Sequence, residues 1–168
     1  MKEINIRRSV RQFSDKKVDE SVMFEILKAA MQAPSAMNQQ PWEFILIQDK
    51  NKIEELSNLS LHAKFSKNAA FMIAILAKKD LKAPGFVQQD LGACTQNLML
   101  EAVSYGIGST WMGVYSKEDR SEFLINALNI DSEKVEPFAL IALGYPNKED
   151  LIKYVDRFDE SRIHREMY

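Results

Sequence analysis

Ala70-Phe71-Met72-Ile73-Ala74-Ile75-Leu76-Ala77 carries no polar side chain at any position. A segment that is apolar on both faces is either a central strand or a helix segment deep in a core. Its shortness and its polar borders favour the strand. Two other runs read the same way: Phe44 to Gln48 (FILIQ) as a buried strand, and Pro137 to Leu143 (PFALIAL) as a core strand closed by Gly144-Tyr145-Pro146. Ser109 to Tyr115 reads as a further strand region after Gly106 and Gly108.

Helical periodicity fills the spaces between these runs. Asp19 is an N-cap candidate, with Val18 and Met23 placed as a hydrophobic staple. Met23, Ile26, Leu27 and Ala30 then recur at i, i+3, i+4 and i+7, the spacing of one buried helix face, and Pro34 stops the helix. A short helix carries Ile53, Leu56 and Leu59. Asp90 to Tyr105 is the longest helical signal, with Leu91, Cys94, Leu98, Ala102 and Tyr105 along one stripe and Ala93, Leu100 and Val103 apolar beside it. A helix apolar on more than one side points to a deep core position or a subunit interface. Ser116 with Asp119 three residues on reads as an acidic capping box, opening a helix with Phe123, Leu124, Ala127 and Leu128 inward. The last twenty residues have weak periodicity and are expected to wrap over a surface.

The whole chain has 168 residues, the size of one domain at about 150 residues each, and the expectation is a single domain over residues 1–168. A chain this long buries roughly 70% of its unfolded surface and needs neither disulfide nor metal to hold a core. The lone Cys94 excludes an internal disulfide and suits a reducing compartment, so a cytoplasmic location is expected. The N-terminus, with Arg7, Arg8 and Arg11 and no apolar stretch after them, is not expected to be a signal peptide, and no run approaches the ~18 apolar residues of a membrane span. A net charge of −2 argues against a nucleic-acid binder. His62 and His164 are lone histidines without ligand spacing, so no metal site is expected.

Two segments carry chemistry. In Arg7-Arg8-Ser9-Val10-Arg11, guanidinium forks suit a phosphate, and in an extended chain Arg7, Ser9 and Arg11 would share a face. In Pro34-Ser35-Ala36-Met37-Asn38-Gln39-Gln40-Pro41-Trp42, two prolines fix the ends of a tight loop. The amides between them offer donor and acceptor together, a match for the edge of a heterocycle. Read alone, the first is equally a solvated basic arm and the second a polar surface turn. Read together they suggest a site for a phosphorylated aromatic cofactor, and flavin mononucleotide (FMN) fits best. A third segment, Gly106-Ile107-Gly108-Ser109-Thr110-Trp111-Met112-Gly113, is not a dinucleotide fingerprint. It follows a helix and opens a strand, and Trp111 takes the third glycine position. Gly106 reads as a helix C-cap, and Gly113 lets backbone approach a flat ring.

These three segments, with Ala142-Leu143-Gly144-Tyr145-Pro146 and Arg157-Phe158-Asp159, occur in an order that resembles the FMN-dependent nitroreductase family. The resemblance implies an α+β fold, a three-layer α-β-α sandwich on a central mixed, mainly antiparallel sheet. It implies an intertwined homodimer with FMN at the subunit interface. By position, Arg7 and Arg157 would bind the phosphate, with Arg8 beside them, Ser9 the ribityl or phosphate end, and Arg11 the pyrimidine side of the ring. Pro34, Ser35, Ala36 and Met37 would line the pocket, Asn38 would bond the ring edge with Gln40 close by, and Met112 and Gly113 would lie against the ring.

The activity implied is reduction of nitroaromatics, quinones or similar electron-poor acceptors by NADH or NADPH, through ping-pong hydride transfer, with the flavin and no catalytic side chain carrying the chemistry. Family members often have a helical excursion between the middle strand and the long helix. Here only Lys78 to Gln89 fills that gap, leaving the substrate side more open. Other reactions on the same fold remain alternatives, namely dehalogenation, flavin cleavage or dehydrogenation, as does a non-catalytic FMN-binding module.

Overall fold

The computed structural model describes residues 2–148 and 152–168; part of the C-terminal segment, 149–151, lies outside the described residues. Among the described residues, nine α-helices and β-strands follow one another: α1 (Lys2–Ile6), α2 (Glu20–Met31), β1 (Trp42–Ile47), α3 (Lys50–Leu56), β2 (Phe71–Lys78), α4 (Val87–Ser104), β3 (Gly108–Gly113), α5 (Glu118–Leu128) and β4 (Val135–Gly144). The strands form one sheet in the order β1-β2-β4-β3. All three pairings are antiparallel, so β1 and β3 are the two edges. The parallel component of the sheet is a single bridge, Ser9 to Ser109, which lays the N-terminal segment along edge strand β3.

Alternation along β2 builds a core on each side of the sheet. Phe71, Ile73, Ile75 and Ala77 face a cluster with Ile26 and Ala30 of α2 and Leu91, Cys94, Leu98 and Ala102 of α4. Met72, Ala74 and Leu76 face a second cluster with Ile53 and Leu56 of α3 and Leu124 of α5. Both faces of β2 are covered because the sequence offers apolar residues at every position rather than every second one. The α+β, three-layer reading therefore holds. Burial pushes the Cys94 thiol up to about 12, which makes it an inert core group.

Local signals worked where the backbone could obey them. Val18 and Met23 are buried together as the staple requires, although the Asp19 side chain makes no capping hydrogen bond. The α2 helix ends at Met31, ahead of Pro34. At the end of α4, Gly106 has φ +72°, its N–H donates to Val103 and the Ile107 N–H to Ala102, the two bonds of a Schellman cap. Tyr105 ends that helix exposed rather than on the buried stripe. The capping box at Ser116 is a correction. Ser116 adopts φ 61°, whereas an N-cap needs extended geometry, and α5 starts after Lys117 with no side-chain cap. Among the described residues no helix is long and apolar enough to cross a membrane.

Candidate functional site

The first site segment runs along β3. Beyond the Ser9 bridge, the Val10 N–H donates to the Ser109 carbonyl and the Thr110 hydroxyl donates to the Val10 carbonyl. Gly108 has no side chain because Val10 occupies that space; a Cβ there would stand 2.6 Å from the Val10 Cβ. Arg7 and Arg11 consequently mark the ends of a track of about 13 Å, four steps of extended chain. Arg7 lines one cleft and Arg11 another.

Arg7 and Arg8 lie in a cleft of about 340 Å³ with Arg157, Tyr154 and Phe158, residues 150 positions away in the chain. Partial burial first, then repulsion from Arg157, then from Arg8, all push the Arg7 guanidinium below its ordinary value. Arg8 donates from Nη1 to the Arg7 carbonyl and from Nη2 to the Asn5 carbonyl, while its buried Nε has no partner among the described residues. Among the described residues, no carboxylate pairs with Arg7, Arg8 or Arg157. Asp156 also lines this cleft, but its Oδ1 accepts from the Phe158 N–H and it forms no described ion pair with the arginines, whose forks could each hold two oxygens of a phosphate.

Arg11 lies at the other end, in a smaller cleft of about 180 Å³ with His62, Phe65, Trp111, Gly113 and Arg120. Its guanidinium is 5.8 Å from the centre of the Phe65 ring. Arg120 donates to the Gly113 carbonyl at 2.7 Å, anchoring the end of β3 from α5. No heavy atom lies within 4 Å of where a Gly113 Cβ would be, so this stretch of backbone is open on that side. Met112 belongs to the cleft wall, but its side chain is buried in the second core. In the sequence His62 is a lone histidine and Arg120 belongs to none of the three site segments. Neither has a local sequence signal; only the fold brings them beside Gly113.

The amide-rich loop is elsewhere. Ser35 to Gln40 precedes β1, the opposite edge strand, across three strand spacings or roughly 14 Å of sheet from β3. It docks on Asp90 in the first turn of α4, where the Ala36 N–H donates to Oδ1 at 3.0 Å and the Gln39 amide donates to Oδ2 at 2.7 Å. Arg7 instead follows α1, whose Glu3 shares a groove with Asn97, Glu101 and Ser104 in the last turns of α4. The residues expected to bind therefore fall in two places on the chain: the Arg7–Arg11 track with Met112, Gly113 and Arg157, and the loop with Ser35, Ala36, Met37, Asn38 and Gln40.

The loop is strained. Met37, Asn38 and Gln40 have φ values of 52°, 51° and 46°, the left-handed region that costs a non-glycine residue roughly 1–2 kcal/mol. The Gln40 N–H donates to the Ser35 hydroxyl, and Gln40 Nε2 donates to Asn38 Oδ1. Asp90 was absent from the residues expected to matter. The available signal was a carboxylate one helical turn before Cys94, on the apolar stripe, where it is only 5% exposed.

Comparisons with known proteins bear on the family and the fold. The model of the nitroreductase family matches residues 4–67 and 60–145. A protein of Archaeoglobus fulgidus, provisionally named an NADH dehydrogenase/NAD(P)H nitroreductase, is 39% identical over 100% of this chain and 98% of its own length. A crystal structure from Clostridium acetobutylicum, provisionally named an NADH oxidase, superposes with a TM-score of 0.94 at 43% identity, covering 99% of both chains. A provisionally named nitroreductase from Desulfovibrio desulfuricans, solved in complex with FMN, gives a TM-score of 0.85 at 26% identity over 99% of this chain and 96% of its own.

Proposed function

The chain belongs to the nitroreductase family, and from that premise we propose that it is an FMN-dependent oxidoreductase that takes reducing equivalents from NADH or NADPH and passes them to nitroaromatics, quinones or similar electron-poor acceptors. The observation that carries the reading is the meeting in one cleft of a partly buried Arg7 and an exposed Arg157, neither in a described ion pair with a carboxylate. A dianionic phosphate monoester is the ligand that such a pair of forks suits best. The track from Arg7 to Arg11 has the right chemistry along its length: Ser9 is exposed to meet a polyhydroxyl chain, and Gly113 leaves room for a flat ring against backbone. The complex of the Desulfovibrio desulfuricans relative with FMN supports the same cofactor.

FMN, when bound, supplies acceptance and donation of hydride; the protein supplies position, charge and access. Arg7 and Arg157 hold the phosphate end. Arg11 sets positive charge beside the polar edge of the ring, which favours uptake of electrons there. Asn38, with Gln40 beside it, reads that edge by hydrogen bonds. Because loop and track lie at opposite edges of one sheet, a complete site takes its track from one subunit and its loop from the other, and the working form is a homodimer. The short Lys78 to Gln89 connection leaves the ring face open, so donor and acceptor occupy it in turn, in ping-pong order.

The test is reduction under anaerobic conditions. FMN-loaded protein is expected to lose its yellow absorbance on adding NADH or NADPH, and to regain it when menadione or a nitroaromatic is then added. Loaded protein that stays yellow with both nicotinamides would leave an FMN-binding module and remove the enzyme.

A further inference from the structure

The three left-handed residues of the loop are not held by burying their own side chains: Met37, Asn38 and Gln40 are all exposed, Met37 at 72%. What holds them lies beneath. The Asp90 carboxylate accepts from the Ala36 N–H with one oxygen and from the Gln39 amide with the other. Gln39 is itself locked, since its Nε2 also donates to the Ala83 carbonyl at 3.1 Å and its Oε1 accepts from the Ala83 N–H at 2.9 Å. Both ends of the Gln39 amide are therefore committed, and the amide cannot turn over without losing three bonds. Asp90 sits in the first turn of α4, where the helix favours a negative group, and meets no cation among the described ion pairs.

The consequence appears on the outer side of the loop. With its backbone fixed, Asn38 uses Oδ1 to accept from Gln40, which leaves Asn38 Nδ2 as a donor and Gln40 Oε1 as an acceptor on two exposed residues. We propose that Asp90 is a positioning residue: through Ala36 and Gln39 it imposes the strained backbone on which Asn38 and Gln40 present one donor and one acceptor to the heterocyclic edge of the cofactor. This rests on the FMN reading. It adds a residue that touches no ligand and that no sequence motif marks.

The experiment compares wild type, Asp90→Ala, Asp90→Asn and Gln39→Ala as full chains titrated with FMN, reading both the dissociation constant and the visible band of the saturated flavin. Asp90→Ala is expected to raise the dissociation constant about tenfold, equivalent to ~1.4 kcal/mol, and to move the bound-flavin band toward that of free FMN. Gln39→Ala, which cuts the same link from the other side, reproduces both changes. Asp90→Asn keeps an acceptor for Ala36 and falls in between. A wild-type band in Asp90→Ala and Gln39→Ala overturns the proposal, whatever the affinity, because a merely structural role would weaken binding without altering the ring's surroundings. Should Asp90→Ala fail to fold, Gln39→Ala and Asp90→Asn decide by the same two readouts. Failure of the wild type to bind FMN is a separate result, and it removes the cofactor reading and this inference with it.

Discussion

Replacing Arg7 by alanine is expected to weaken FMN binding about a hundredfold. A hydrogen bond to a charged group contributes roughly 1.5–3 kcal/mol, and a hundredfold change corresponds to about 2.7 kcal/mol, the loss of one forked contact with the phosphate. Arg157 remains in the cleft and keeps binding from vanishing. Arg7→Lys keeps the charge but loses the fork, so an intermediate affinity is expected. The same cluster makes an opposite statement about the protein without ligand. Arg157 and Arg8 both repel Arg7, and no described carboxylate offsets them. Removing Arg7 should therefore leave the unliganded Tm unchanged or slightly higher, while the Tm gained on adding FMN shrinks. Fluorescence titration with FMN and paired melting curves measure both; wild-type affinity in Arg7→Ala would mean that this cleft is not where the phosphate goes.

The second large effect is on stability. Phe71 opens β2, is fully buried, and packs in the cluster between sheet, α2 and α4. Truncation to alanine is expected to cost about 3–5 kcal/mol, a large share of the ~5–15 kcal/mol that holds a domain folded. For a chain this long that is a fall of roughly 6–20 °C in Tm at about 2–4 °C per kcal/mol. Leu61 is the internal control: it is as apolar but 88% exposed, so Leu61→Ala should stay within about 0.5 kcal/mol of wild type. Denaturant unfolding at one fixed protein concentration compares the two. Equal midpoints would mean that the β2 face is not the packed core described.

Much of the fold is legible because the sheet is covered on both sides. Ala70 to Ala77 reads better as a central strand than as a buried helix and Pro137 to Leu143 as a core strand, and β2 and β4 are neighbours in the middle of the sheet. Met23, Ile26, Leu27 and Ala30 are all buried on α2, as their spacing requires. The Ser116 pattern has the right residues for a cap, but Ser116 stands in left-handed geometry inside a turn that the Lys117 N–H closes on the Val114 carbonyl. At the site, the residue types in Arg7–Arg11 and Ser35–Gln40 pointed to phosphate and heterocycle, yet nothing local says that these segments flank opposite edges of one sheet. Asp90 and Ala36 are 54 positions apart, and Arg7 and Arg157 are 150. Contacts of that range come from the fold, and only the family resemblance anticipated the second.

The account turns on a site completed by two chains, with the phosphate between arginines from both ends of one of them. A crystal structure grown with FMN tests this most directly. It should place the phosphate between Arg7 and Arg157, the ring beside Gly113 and Arg11, and Asn38 of the partner subunit on the ring's polar edge. A phosphate held away from Arg7, or a ring enclosed by the residues of one chain alone, would contradict it.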